Sequence, residues 1–243
     1  MNTKKIIMLS ATSIIFSLLI FNTIPLFNYA NAEYYYVQPS LGKNPKLCFT
    51  TPAPNADLSN CDLTGIDLSF ANLAGINLSG ANLQFARLYG TNLEGANLQG
   101  ANISGDNLSY ARLSGADLNG INARGVDFYS ADLSNSDLTG ANLQGARFSY
   151  TGLQGANLSG DNLSHTITAN ANFTGANLQK TDLSYGWMRG TDFTGSNMMW
   201  ANLHSGDAAY SWFAGADLTG ADISGFSAVG SDFSCHGSPF CQS

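Results

Sequence analysis

The sequence predicts an all-β solenoid in which the chain turns every five residues and closes one coil every twenty. A five-residue unit, consisting of a small residue, Asp or Asn, Leu or Phe, a polar residue and Gly, repeats without a break in register from Ala56 to Cys235. This run holds 36 units. Within it a Phe recurs every twenty residues, at Phe173, Phe193, Phe213 and Phe233. Four units therefore make one coil, and the run makes about nine coils.

The first and third positions of each unit are predicted to point into the solenoid. Side chains two residues apart lie on the same face of an extended segment, so the small residue and the large one face inward together. The fifth position, usually Gly, supplies the turn. Beside the recurrent Phe residues the neighbouring side carries small residues, at Thr168, Gly186, Gly206, Ala208 and Ala228. We expect the rings to balance that missing volume in a close-packed interior.

Individual units carry a family resemblance. Residues 96–100 read Ala-Asn-Leu-Gln-Gly and residues 216–220 read Ala-Asp-Leu-Thr-Gly, and the pattern covers about three quarters of the chain. In this respect the sequence resembles the pentapeptide-repeat family. The resemblance implies a right-handed quadrilateral β-helix with the small residue and the Leu or Phe inside. A solenoid of this kind needs caps at both ends.

The chain divides into four predicted segments. These are a signal peptide at 1–32, an N-terminal cap at 33–55, the repeat solenoid at 56–235 and a C-terminal cap or tail at 236–243. The signal is predicted from Lys4, Lys5, a largely apolar stretch and an Ala-Asn-Ala ending before Glu33. An uncleaved membrane anchor is the alternative, because the apolar stretch approaches membrane-spanning length. Pro25 and the cleavage-like ending favour removal, and hence a protein exported to the periplasm or secreted.

The charge of the mature chain excludes one class of partner. Without Lys4 and Lys5, the chain has eight basic and seventeen acidic side chains, which gives a net charge of −9. Direct binding to nucleic acid needs a basic footprint on the phosphates. We therefore expect no nucleic-acid partner, and no membrane span once the signal is removed.

The cysteines agree with export. Cys48 and Cys61 lie near the start of the repeats, and Cys235 and Cys241 lie at the end. Three pairings are possible, but nine coils separate the two ends by more than a disulfide can reach. Local bonds between Cys48 and Cys61 and between Cys235 and Cys241 are predicted for an oxidising compartment. Free buried thiols are the alternative. The spacing does not match a zinc site.

Aromatic residues concentrate on one outer side. With the four sides numbered from Ala56, seven of the eleven outward aromatic side chains fall on the third, together with three arginines. The candidate face consists of Phe70, Tyr89, Tyr110, Tyr129, Tyr150, Trp187, Tyr210, Arg87, Arg147 and Arg189. Aromatic residues mixed with Arg are typical of recognition surfaces. The alternative is an outer ladder that stabilises the fold, with the rings packing from coil to coil.

The acidic residues follow the repeat. Thirteen aspartates stand in the second position, where short side chains bond to nearby backbone groups. Asp106 and Asp161 instead replace the small inward residue. We expect both to bond to backbone amides, because an unpaired buried carboxylate is costly.

The sequence indicates no enzyme, metal or cofactor. His165 and His204 share the second side but stand two coils apart, and His236 lies in the tail. No triad or metal cluster follows from that spacing, and the many Ser residues occupy the fourth position by repeat rule.

Two functions remain. The first is an exported, non-catalytic scaffold that binds a protein or glycan through its outer sides. The second is implied by family members that imitate DNA in shape and charge and act on DNA gyrase or topoisomerase. The acidic balance fits the second, whereas the export signal and the lack of a C-terminal amphipathic helix favour the first.

Overall fold

The computed structural model describes the backbone of residues 24–28 and 33–37, and residues 52–239 with Cys241. Strands β1 (Ile24–Asn28) and β2 (Glu33–Val37) pair antiparallel. This hairpin spans the predicted cleavage position, and the signal peptide stays a prediction. Among the described residues no helix is long and apolar enough to cross a membrane.

The repeat region forms a solenoid with twenty residues per coil. The second position of each unit pairs in parallel with the residue twenty positions later, from Asp57 with Asn77 to Trp212 with Asp232. Each coil therefore has four sides of five residues, as the Phe spacing predicts. Side 1 begins at residue 56, side 2 at 61, side 3 at 66 and side 4 at 71, and each recurs every twenty residues. The right-handed sense implied by the resemblance stays a prediction.

In a typical unit, four of the five amides donate to other backbone groups. In the unit 76–80, Leu78 and Gly80 donate to carbonyls of the next coil, Asn77 donates to the preceding coil, and Ile76 donates to Leu73 across the turn. These bonds are 2.7 to 3.0 Å long. The fourth-position amide of this unit has no backbone partner, so it must be satisfied from elsewhere.

The second-position Asp or Asn satisfies the fourth-position amide. In 27 of the 28 units with Asp or Asn there, the side-chain Oδ1 accepts a bond of 2.9 to 3.4 Å from the amide two residues on. This Asx turn confirms the prediction that these residues serve the backbone. The second position of the repeat is therefore set by hydrogen bonding.

The fifth position has left-handed backbone geometry throughout. From Asn60 to Gly230, φ at this position lies between +53° and +77°. Glycine adopts these angles without strain, and 21 of these 35 positions are Gly. Seven others carry a Phe, Tyr or Trp, for which such angles are unusual and cost on the order of 1 kcal/mol each.

The core confirms the predicted Phe stack on side 4. Ring centroids are 5.4 Å apart for Phe173 and Phe193, 5.0 Å for Phe193 and Phe213, and 4.9 Å for Phe213 and Phe233, with interplanar angles of 7 to 21°. A second buried stack, Phe128 on Phe148, lies on side 3 at 5.0 Å. These stacked rings add contact energy to their area burial.

The sequence predicts that the side 4 rings balance the missing volume on side 3, but at Gly206 the space is filled from side 3 itself. The Met188 side chain fills the space beside Gly206, where an added Cβ would lie 2.6 Å from the Met188 Cε. Phe226 packs edge-on against Phe213 with centroids 6.2 Å apart. Met188 and Phe226 of side 3 therefore pack with the side 4 rings to fill the interior of the C-terminal coils.

The two ends of the solenoid differ in burial. The first-coil centres Leu58, Leu63 and Leu73 are fully buried, whereas Ile223 and Phe233 in the last coil are half-buried. After the last coil the chain adds one further pairing, between Asp217 and His236.

One predicted disulfide is confirmed at the end of the repeats. Cys235 and Cys241 are bonded, with Cα atoms 4.9 Å apart. Cys61 is also in a disulfide. Its predicted partner, Cys48, lies outside the described residues. The free-thiol alternative is therefore wrong for Cys61, Cys235 and Cys241.

Candidate binding surface

Five of the predicted rings form one continuous ladder along side 3. Successive centroids are 5.2 Å apart for Phe70 and Tyr89, 5.3 Å for Tyr89 and Tyr110, 5.7 Å for Tyr110 and Tyr129, and 5.5 Å for Tyr129 and Tyr150. All four contacts are edge-to-face, the favoured arrangement for aromatic pairs. We call these five residues the aromatic ladder. Their exposed fractions of 37 to 68% leave much ring surface on the outside.

The ladder alternates between two positions of the repeat. Phe70, Tyr110 and Tyr150 stand in the fifth position with φ of +60 to +61°, while Tyr89 and Tyr129 stand in the fourth. The Phe70 ring leans over the next coil and requires a residue without a Cβ there. A Cβ added at Gly90 would lie 2.8 Å from the Phe70 ring. The ring at Phe70 therefore depends on glycine at position 90 in the next coil.

Two predicted members of the face lie outside the ladder. Trp187 occupies a second position, and Tyr210 stands over Gly230 three coils beyond Tyr150. Neither makes a ring contact with the ladder among the described residues. Both remain exposed on side 3.

The predicted arginines are paired with acids of neighbouring coils. On side 3 Arg87 lies 3.5 Å from Asp67, and Arg147 lies 4.0 Å from Asp127. Arg189 bonds to Asp207 at 2.7 Å. These pairs are largely exposed, so each contributes little to stability.

The balance of charge makes side 3 different from the other three sides. Each side carries four acidic residues, but side 3 holds three arginines whereas every other side holds one basic residue. The net charge is −1 on side 3, including the buried Asp106, and −3 on each of the others. Side 3 is the aromatic and nearly neutral face of an acidic rod.

Sides 3 and 4 also depart from the backbone rule of the repeat. Eight of the 36 units lack Asp or Asn at the second position, five of them on side 3 and three on side 4. These second positions are Arg87, Arg147, Ile167, Trp187 and Ser227 on side 3, and Arg112, Gly152 and Trp212 on side 4. Each loses the Asx bond to the fourth-position amide. Sides 1 and 2 keep the rule without exception, so the departure concerns two adjacent sides.

The centre of the ladder shows electrostatic coupling between rings. Desolvation raises the pKa of the Tyr110 phenol, and Tyr129 and Tyr89 raise it further through their charges and a hydrogen bond to Tyr129. The three phenols thus lie close enough to influence one another.

Two glycine substitutions separate ring packing from backbone strain. Phe85 is exposed on side 2 with φ of +62°, so Phe85→Gly should raise the free energy of unfolding by about 1 kcal/mol. Tyr110→Gly relieves the same strain but removes two edge-to-face contacts worth about 0.5 to 1.5 kcal/mol each, so we expect no gain or a loss. Urea denaturation of both variants measures the difference. A gain at Tyr110 equal to that at Phe85 would show that the ladder does not stabilise the fold.

Two buried carboxyl groups interrupt the interior. Asp106 lies in the same unit as Tyr110, Asp161 lies on side 2, and each is 2% exposed. Burial raises the pKa of both to about 7, and nearby backbone amides offset this only in part. From Asn77 to Asp232, Asn107 and Asn162 are the second-position amides without the usual bond to the preceding coil. These two residues directly follow the buried carboxyls.

The prediction that both carboxyls bond to backbone amides is confirmed for one of them. The Ala141 amide donates to Asp161 Oδ1 at 3.0 Å. Asp161 Oδ2 and both oxygens of Asp106 have no hydrogen-bond partner among the described residues. For Asp106 the prediction is wrong, since neither oxygen accepts a hydrogen bond from a described residue, although the Phe85 and Ala86 amides lie near enough to lower its pKa.

One polar cluster on side 2 was not foreseen. His204 Nδ1 lies 2.7 Å from Ser224 Oγ, and His204 Nε2 lies 3.1 Å from Ser205 Oγ. Tyr185 stacks on His165 and contacts His204 edge-on, at 5.1 and 5.4 Å. Both ring nitrogens of His204 therefore face serine hydroxyls. The described residues hold no group of three potential ligands placed to bind a metal.

Comparison with known proteins identifies the family. The model of the family described as pentapeptide repeats matches eight copies, at residues 55–81, 76–105, 107–145, 127–160, 162–195 and 196–234. Together with the twenty-residue coil and its five-residue units, this match over more than half of the sequence shows that the chain belongs to the pentapeptide-repeat family. It is a repeat scaffold.

Several solved structures are similar to this chain. HetL, a pentapeptide-repeat protein involved in heterocyst differentiation regulation in the cyanobacterium Nostoc, is 24% identical over 76% of this chain and 92% of its own, with a TM-score of 0.40. A pentapeptide-repeat protein of the Arabidopsis thaliana thylakoid lumen is 30% identical over 40% and 70%, with a TM-score of 0.33. QnrB1, a plasmid-mediated fluoroquinolone resistance protein, is 21% identical over 76% and 88%, with a TM-score of 0.37. No curated protein matches the chain.

Proposed function

We propose that this protein is an exported, non-catalytic scaffold that binds a protein or glycan partner through side 3. The single observation that supports the proposal most strongly is the aromatic ladder, with five exposed rings in unbroken contact on the least charged side. Rings that are held rigidly by their neighbours lose little entropy on binding, which makes them effective anchors.

The backbone supports the same side. Phe70, Tyr110 and Tyr150 accept a left-handed conformation that Gly would adopt without strain. Strained residues that persist in a regular repeat point to a function beyond folding. Side 3 also holds five of the eight units that lack Asp or Asn at the second position. Its outward residues are therefore selected for something other than the bond to the fourth-position amide.

Export is the second part of the proposal. The disulfide between Cys235 and Cys241 and the one at Cys61 are consistent with an oxidising compartment. Fractionation of producing cells, with N-terminal sequencing of the mature protein, tests this. We expect a chain beginning at Glu33 outside the cytoplasm. Mature protein found in the cytosol would instead favour action on DNA gyrase or topoisomerase by imitation of DNA.

A triple substitution tests the binding face. Tyr110→Ala, Tyr129→Ala and Tyr150→Ala together should weaken partner binding by at least about tenfold, because a few aromatic side chains contribute most of the affinity of a recognition face. Immobilised protein is probed with a glycan array and with extracts of exported proteins. The matched control carries Phe85→Ala, Trp200→Ala and Trp212→Ala, three exposed rings on the other sides. Equal binding by the two triple variants would remove side 3 from the proposal.

A further inference from the structure

We infer that the partner of the aromatic ladder is a second copy of this chain, bound antiparallel through side 3 of the first five coils. The inference rests on the proposed function and names its partner. It comes from the order of residues along side 3, which is self-complementary under a two-fold rotation.

The charges provide the first half of this symmetry. Along the axis, the second positions of the first five coils read Asp67, Arg87, Asn107, Asp127 and Arg147. A two-fold axis in the interface plane, perpendicular to the rod and through Asn107, places coil 1 opposite coil 5 and coil 2 opposite coil 4. Asp67 then faces Arg147 of the second copy, and Arg87 faces its Asp127. Every charge meets its opposite, as an isologous interface requires.

The rings provide the second half. In the same five coils, the ladder residues occupy the fifth, fourth, fifth, fourth and fifth positions in turn. The remaining fourth positions are all Ser, at Ser69, Ser109 and Ser149, and the remaining fifth positions are Gly90 and Ser130. The order of ring positions is the same in both directions from Tyr110, with Phe70 corresponding to Tyr150 and Gly90 to Ser130. Because this axis preserves the lateral position on the face, ladder meets ladder while the charge row meets the charge row.

Beyond the fifth coil the symmetry ends. The second positions continue as Ile167, Trp187, Asp207 and Ser227, and the ladder stops at Tyr150. The self-complementary stretch therefore coincides with the continuous ring contacts. It spans about 24 Å at ~4.8 Å per coil.

The area available sets the expected strength. At about 200 Å² per ring, exposed fractions of 37 to 68% leave on the order of 500 Å² of ring surface on each copy. Two copies bring together about 1,000 Å², the lower limit for a specific interface. We expect a reversible dimer with a dissociation constant on the order of 10 to 100 μM. High salt should weaken it further.

Charge reversal on one position at a time tests the orientation. Arg147→Asp places two acids opposite one another in the dimer, and Asp67→Arg places two arginines opposite one another. Each variant alone should sediment as a monomer at concentrations where the wild-type chain dimerises. An equimolar mixture should restore a dimer, because every pair in the mixed species is again opposite in charge. Sedimentation velocity across a concentration series measures all three samples.

A ring substitution provides the matched control. Tyr110→Gly removes the ring on the two-fold axis and should raise the dimer dissociation constant at least about tenfold. Phe85→Gly makes the same change on side 2 and should leave it unaltered. Failure of the mixture to dimerise, or equal dimerisation of both glycine variants, would overturn the inference. A wild-type chain that stays monomeric while its capture of another partner needs the ladder would overturn self-association and keep the proposed function.

Discussion

At pH 8 the double variant Asp106→Ala, Asp161→Ala is expected to be more stable than the wild-type chain by several kcal/mol. Burial raises the pKa of each carboxyl from 3.8 to about 7 in the folded state. The folded chain therefore holds these protons more tightly than the unfolded chain. Stability decreases as the pH rises from about 4 to about 7 and is then level, by on the order of 4 kcal/mol for each carboxyl. Alanine is the usual first-position residue and carries no such penalty.

Urea denaturation between pH 5 and pH 8 measures this effect. The stability of the wild-type chain should decrease across that range, whereas the stability of the double variant should change little. Thr166→Ala is a suitable control, because Thr166 is a buried first-position residue that does not titrate, and its hydroxyl donates to the Leu163 carbonyl at 2.7 Å. It should change the stability by a similar amount at both pH values. A double variant that keeps the wild-type pH profile would show that the two carboxyls stay ionised or reach water.

Phe193→Ala is expected to lower the free energy of unfolding by about 4 kcal/mol. Its ring is fully buried and stacks on both Phe173 and Phe213, so truncation removes two aromatic contacts and leaves a cavity. Phe193→Leu restores the usual centre of the repeat and should cost only about 1 kcal/mol.

Guanidinium denaturation monitored by circular dichroism measures both Phe193 variants. The midpoint should decrease while the denaturant slope stays constant, since the two variants expose similar surface on unfolding. A loss below about 1 kcal/mol for the alanine variant would mean that the coils collapse around the missing ring, contrary to a rigid stack.

The sequence predicted the architecture because its two periods have direct physical causes. The five-residue period reflects one turn per unit, and the twenty-residue period of Phe173 and its relatives reflects rings meeting in successive coils. It also predicted which side carries the ladder. Trp187 and Tyr210 were included because they share that side, but every ring contact within the ladder is a step of 19 or 21 residues between the fourth and fifth positions. That step was readable from the sequence.

The hydrogen bonds of the buried aspartates could not be predicted from their position in the repeat. The two buried aspartates occupy equivalent first positions, yet one oxygen of Asp161 is bonded and neither oxygen of Asp106 is. A pattern of residue types does not specify which oxygen of a buried carboxyl lies within reach of an amide. His204 and Ser224 stand twenty residues apart in the same position, so their contact was available to sequence reasoning and was missed.

The Asx bond has a consequence for how such a chain can change. Replacing a second-position Asp or Asn releases one amide to solvent and costs about 1 kcal/mol, while the bonds that close the coil are untouched. New chemistry can therefore be introduced one coil at a time, and each released amide becomes a donor that a bound molecule can use. In this chain the second-position Asp or Asn has been replaced only on sides 3 and 4, whereas sides 1 and 2 have Asp or Asn in every unit.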